Sequence, residues 1–303
     1  MDVVHNTNHL SPVINLITPE VSTPSISSSA MLAEVNISQW IGRKQDKEVA
    51  NEVDVAKQTK TRAGSYSKKL LPDEPVFEAI GSIVSEARLY HKHTTMPWSN
   101  SGLRLLTTKM FFDYQKKMTE HEDKFNRAVD AFIADYYAMV QRAPAKLNEL
   151  FKFEDYPNED DLRGKFRFSI KFAPVPEAGD FRVDVGNEAL AQLKESYVAM
   201  YKEQIEDAYK DVWQRLYEPL KHMSTKLEGN EKQTFRDTLV TNVQDIVSLL
   251  DKFNITDDPM LRKAKLKIEH TLMGITPDAL REDDHLRLDT KRKVDELLKE
   301  FSW

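Results

Sequence analysis

The chain has 303 residues, enough for one large domain or two small ones at about 150 residues each. Its nine glycines lie no closer than seven residues apart and it has no cysteine, which together exclude the G-x-x-x-x-G-K-[ST] phosphate loop, the G-x-G-x-x-G dinucleotide turn, the G-x-S-x-G nucleophile elbow, disulfides and thiolate metal sites. The net charge of −6 argues against binding to nucleic acid or membrane by bulk charge, and no apolar run reaches the ~20 residues that span a bilayer.

Residues 1–30 carry no Lys or Arg, and 12 of them are Ser, Thr or Pro. This composition predicts a disordered extension, with Met31 as an alternative start. Val35, Ile37 and Trp40 read as a short strand, followed by a polar, helix-tolerant stretch from Arg43 to Ala63 and a break over Gly64–Pro72. Asp73 is the expected cap of a helix with the apolar stripe Val76, Phe77, Ile80, Ile83, Val84 and Ala87. Thr94–Gly102 is expected to be a loop.

Three longer helices carry the strongest periodicity. Phe111, Tyr114, Met118, Phe125, Val129, Phe132, Tyr136 and Val140 recur at three- and four-residue steps, with His121 filling the gap. A second seam runs from Leu190 through Leu193, Tyr197, Tyr201, Ile205, Ala208, Val212, Leu216, Leu220 and Met223 to Leu227, where Pro219 predicts a kink or break. A third runs Phe235, Leu239, Val243, Ile246, Leu250 and Phe253. Between the first two, Phe166, Phe168, Ile170 and Phe172 alternate with polar residues, as do Phe181, Val183 and Val185; the pattern predicts a hairpin joined through Pro174, Pro176 and Gly179. Asp258-Pro259 and Thr276-Pro277 are helix starts. The expected fold is α+β and predominantly α, with long antiparallel coiled-coil-like helices packed on a small antiparallel sheet. Residues 31–255 form the main unit and 256–303 a C-terminal helical segment.

Candidate chemistry is sparse. His91 and His93 lie two apart at an expected helix end, with no third metal ligand near in sequence, and His121 sits on a seam where a hydrogen-bonded core histidine is expected. Glu282 and His285 form one E-x-x-H, half of the paired motif a di-iron bundle needs, and no second is found. The acids Glu154, Asp155, Glu159, Asp160 and Asp161 lack the spacing of a calcium loop and fit the first turn of a helix capped by Asn158. No metal, cofactor or catalytic residue is therefore expected. Lys57, Lys60, Arg62, Lys68 and Lys69, with Tyr66 among them and no acid between, form the candidate nucleic-acid contact: cations for phosphates and a ring to stack on a base. A solvated loop explains the same residues. Arg262, Lys263, Lys265 and Lys267 make a second basic patch, expected to be a solvated helix face. Trp98 and Arg104, beside Pro97 and Gly102, can hold a planar ligand or a partner, or can pin their loop to the core.

The strings LAEVNISQWIGRKQDKEV (Leu32–Val49), GSYSKKLLP (Gly64–Pro72), TMPWSNSGLRLL (Thr95–Leu106), PVPEAGDFRVD within Asp155–Asp184 and NITDDP (Asn254–Pro259) together resemble a domain family of unknown function recurrent in tailed bacteriophages and prophages. The resemblance covers about 31–273. It implies a phage gene product in the bacterial cytoplasm, and a genetic neighbourhood with MoxR-type AAA+ ATPases; it carries no catalytic residue. The expected function is a non-enzymatic interaction protein, a helical scaffold or adaptor partnered by a protein such as an AAA+ ATPase, with homo-oligomerisation open and no membrane. The alternatives are a single-stranded nucleic-acid binder or recombination accessory, with Trp40 as a further stacking ring, an inhibitor of a host defence system, and a metal-dependent enzyme.

Overall fold

Residues 26–176, 187–228 and 236–301 are described by a computed structural model. The architecture is α+β and predominantly α. A four-stranded antiparallel sheet has β1 (Ala30–Ser38) inside it, flanked by β6 (Arg167–Pro174) on one side and β5 (Arg104–Thr107) on the other, with the two-residue β4 (Met96–Pro97) at the far edge. The expected strand at Val35–Trp40 thus begins earlier and ends before Trp40. The phenylalanine strand is β6, which pairs with β1 along its whole length, from Ser38 opposite Arg167 to Met31 opposite Pro174. The other arm of the expected hairpin, Phe181–Val185, lies outside the described residues, as do residues 1–25 and Phe235.

That register puts Ala33, Val35 and Ile37 on one sheet face with Phe172, Ile170 and Phe168. The long helix α3 (Phe111–Leu147) covers this face, bringing the Phe125 ring to 5.6 Å from Phe168 and Phe132 to 5.7 Å from Phe166. Its expected seam holds: Tyr114, Met118, His121, Phe125, Val129, Phe132, Tyr136 and Val140 are all buried. Helix α2 (Pro75–Thr94) runs antiparallel to α3, with Glu74 between Lys146 (2.8 Å) and Arg142 (3.0 Å) at one end and His91 meeting Tyr114 at the other. The cap of α2 is Glu74, not Asp73, which adopts φ +56° and turns the chain into the helix. The helix ends at Thr94, with His91 and His93 in its last turn as expected.

Helix α5 (Asn187–Leu227) is continuous through Pro219, so the expected break does not occur. Leu216, Leu220, Met223 and Leu227 are fully buried on both sides of the proline, and that packing outweighs the lost backbone bond. At the other end of this seam Leu193 is exposed; Tyr201 and Ile205 pack against the core half-buried, and the seam is fully buried from Ala208 onward. Helix α6 (Thr238–Phe253) returns along α5, with Arg215 over the Phe253 ring. The remaining helices are α7 (Pro259–Leu272), α8 (Pro277–Glu282) and α9 (Asp284–Glu300). Asp258 and Thr276 cap α7 and α8 as their sequence predicts, accepting from the backbone N–H groups of Met260 and Ala279. Helix α9 lies antiparallel on α5, with the Ser224 hydroxyl donating to Asp295 and Trp213 stacked on Phe301, so residues after 255 share the core of the long helices.

One part stands apart from this body. Between the sheet and α2, the polar stretch folds into β2 (Arg43–Asp46), α1 (Lys47–Ala56) and β3 (Tyr66–Lys69), the last lying inside the expected break. The two strands pair antiparallel, and α1 buries only Ala50. Gly42 joins this arm to the body at φ +59°, and an added Cβ would stand 2.7 Å from the Phe77 ring; both the left-handed backbone and the close aromatic demand glycine.

Candidate functional site

The arm is built from local rules. Asp46 ends β2 and caps α1, accepting from the backbone N–H groups of Glu48 and Val49. Helix α1 ends at Lys57, Gln58 takes φ +53°, and the Asp54 carboxylate accepts from the Ala63 N–H to shape the returning loop. A cleft of about 500 Å³ opens there, lined by Asn51, Asp54, Gln58, Thr59, Lys60 and Arg62 among others.

Strand pairing sorts the cations. Residues Lys44, Asp46, Tyr66 and Lys68 share one ribbon face, and Arg43, Gln45, Ser67 and Lys69 the other. The first face turns inward at Lys68, which is 3 % exposed. Its ammonium lies 2.8 Å from Asp155 and 3.0 Å from Asp46, and donates at 2.8 Å to the Leu150 carbonyl. Burial works to depress the Lys68 pKa, yet the bonds to Asp155 and Asp46 outweigh it and hold the group above its ordinary value. Asp46 is held below the usual carboxylate range, chiefly by the Lys68 bond. This removes Lys68 from the nucleic-acid candidates, because a phosphate cannot reach it. It also corrects the reading of the acidic run: Asp155 anchors the arm, whereas Asn158 caps a short helix, α4 (Glu159–Arg163), as expected.

The outer face behaves differently. Arg43 and Lys69 are directly opposite one another and exposed. Lys57, Lys60 and Arg62 are exposed on the loop. Among the described residues none of these five side chains enters an ion pair. Tyr66, 36 % exposed, stands at the loop end of the ribbon, on the face opposite Arg43 and Lys69. Arg43 was not among the expected contacts; nothing in its sequence position marks it until β2 pairs with β3.

The remaining candidates serve the fold. His91 is 8 % exposed, shares a 2.7 Å hydrogen bond with the Tyr114 hydroxyl, and burial pushes its pKa down to about 4. His121 is buried on the seam with Nδ1 unpartnered, against the expectation of a hydrogen-bonded core histidine. Glu282 ends α8 and His285 opens α9, so Asp283, the cap between them, breaks the E-x-x-H across two helices. No group of three or more His, Asp or Glu among the described residues is placed to hold a metal ion. Trp98 and Arg104 are internal braces, not ligand contacts. The Trp98 indole packs edge-on against Tyr201 at 5.6 Å, and Arg104 donates to Thr95 at 2.7 and 3.0 Å. Arg215, which the sequence did not mark, joins it at the same helix end with donations to the carbonyls of His93 and Thr95. Trp40 packs against Phe77, Phe132 and Tyr136 and so is not a stacking surface.

The second basic patch is fully matched. Arg262 pairs with Asp257, Lys263 with Glu300, Lys265 with Asp251 and Glu269, and Lys267 with Glu300. No family model, curated protein or solved structure matches the chain, so the phage-family resemblance rests on its quoted strings. No helix among the described residues is long and apolar enough to cross a membrane.

Proposed function

We propose that this chain acts by binding rather than by catalysis: a helical scaffold that presents the β2–α1–β3 arm as its docking element to a negatively charged partner. The observation that carries this reading is the set of exposed arm cations without counter-charges, including two placed directly opposite each other, where like charges destabilise a strand pair. From Arg43 to Lys69 there are eight cations and four acids, a net +4 on a chain of net −6. Such a polarised charge distribution steers an acidic surface onto the arm. The resemblance adds a setting, a phage product in a bacterial cytoplasm, and an AAA+ ATPase as a partner to look for.

The test is affinity capture from host lysate, untreated and nuclease-treated, with wild-type protein and with R43A/K60A/R62A/K69A. The wild type is expected to retain a partner that elutes with salt, and the variant to lose it. Equal recovery by both moves docking off the arm, and recovery by neither overturns the scaffold reading.

A further inference from the structure

Resting on the arm as the docking element, we infer that its partner is single-stranded nucleic acid, held by Arg43, Lys60, Arg62 and Lys69 at the phosphates and by Tyr66 at a base. Three placements support this. Arg43 and Lys69 form one cationic site at the base of the ribbon, where a phosphate bridging the two guanidinium and ammonium groups would relieve their mutual repulsion. Lys60 and Arg62 form a second at the loop cleft, among the Asn51 and Gln58 amides and the Thr59 hydroxyl, with the Asp54 carboxylate turned to the Ala63 N–H. Neutral donors of this kind beside cations match sugar–phosphate contacts, which combine charge with amide and hydroxyl bonds.

Tyr66 opens β3 beside the loop, four residues after Arg62, on the ribbon face opposite Lys69 and about 10 Å along the strand from it. A strand leaving the loop cleft meets this ring at the ribbon end before it turns over the ribbon edge to Arg43 and Lys69 on the other face. Only an unpaired base offers a free face to stack on it, which is why the reading is single-stranded. An acidic protein partner would be satisfied by the cations alone and would gain nothing specific from a ring in that position.

Purified full-length protein titrated into a fluorescent mixed-sequence 20-nucleotide DNA strand tests this by anisotropy, with the matching duplex and poly-glutamate as comparators. The wild type is expected to bind the single strand, with log affinity falling linearly against log salt. R43A/K60A/R62A/K69A is expected to lower that slope by about 3, from the ~0.7 released counterions per contact of single strands. Tyr66→Ala is expected to cost about 5- to 100-fold on the single strand and to leave the duplex unchanged, while Tyr66→Phe binds like the wild type. The four cations pair with no described residue, so the variant retains its fold; far-UV circular dichroism checks this, and R43Q/K60Q/R62Q/K69Q is the substitute should it not.

Absence of single-strand binding, an unchanged slope in a folded variant, or poly-glutamate binding as tight as the strand overturns the inference. So does Tyr66→Ala with wild-type affinity, which leaves no ring contact. If the single strand does not bind while nuclease-treated capture still recovers a protein in an arm-dependent way, the nucleic-acid inference fails and the docking arm stands. Failure of both removes the arm as a functional element.

Discussion

The chain contains two basic runs that look alike as sequence, Lys57–Lys69 and Arg262–Lys267, and the fold treats them in opposite ways. Around α7, every cation of the run meets a carboxylate: Asp257 nearby, Asp251 from α6, Glu269 one turn on, and Glu300 from the end of α9. In the Lys57–Lys69 run only Lys68 is matched, and it is matched by burial between two carboxylates. The others face solvent. Charge counted along a sequence is therefore not potential at a surface; the sign that a partner meets depends on carboxylates delivered from elsewhere in the fold.

The largest effect should come from breaking the buried matched position of that run. Lys68→Ala leaves Asp46 and Asp155 buried without their cation and should cost about 3–5 kcal/mol in denaturant unfolding. A loss below 1 kcal/mol would mean that this ion pair does not anchor the arm. His91 extends the contrast to a basic group that the fold keeps neutral, chiefly by burial and further by the Arg104 charge. The unfolded chain takes up a proton below pH 6.5 that the folded chain refuses until about pH 4, so stability from this group falls as pH drops through that window. The full difference is about 3 kcal/mol, and chemical denaturation at pH 7, 5.5 and 4 should show it shrinking in His91→Gln relative to the wild type.

Smaller effects separate the two runs themselves. Lys265→Ala removes the pairs to Asp251 and Glu269 and should lose a few tenths of a kcal/mol, a loss that high salt abolishes. Arg43→Ala should leave Tm unchanged or raise it by about 1 °C, because it removes a repulsion and no attraction. A drop in Tm of several degrees would show that Arg43 has a counter-charge after all and would dissolve the contrast between the runs.

Much of the fold is legible residue by residue. The seam of α3, the caps at Asn158, Asp258 and Thr276, and the alternation of Phe166 to Phe172 each depend on neighbours within a turn or two. The errors fall where a long-range partner competes with a local preference. Pro219 disfavours a helix locally, yet the buried leucines around it keep α5 continuous. Trp98 and Arg104, which look like ligand contacts beside a proline and a glycine, instead brace α5 and the end of α2. In the candidate site, Lys57, Lys60, Arg62, Tyr66 and Lys69 could be named from composition, while Lys68 had to be removed and Arg43 added.

By itself the sequence determined the helical class, the helix starts, and the absence of glycine-built phosphate loops and cysteine chemistry, because periodicity, capping and residue spacing are local quantities. Tertiary structure decided which strand β6 joins, whether α5 bends, and which cations remain available to a partner. Those outcomes depend on residues such as Lys68 and Asp155, or Lys267 and Glu300, that meet only when separate elements pack. A lysine's charge is written in its side chain, but its counter-ion is supplied by the fold.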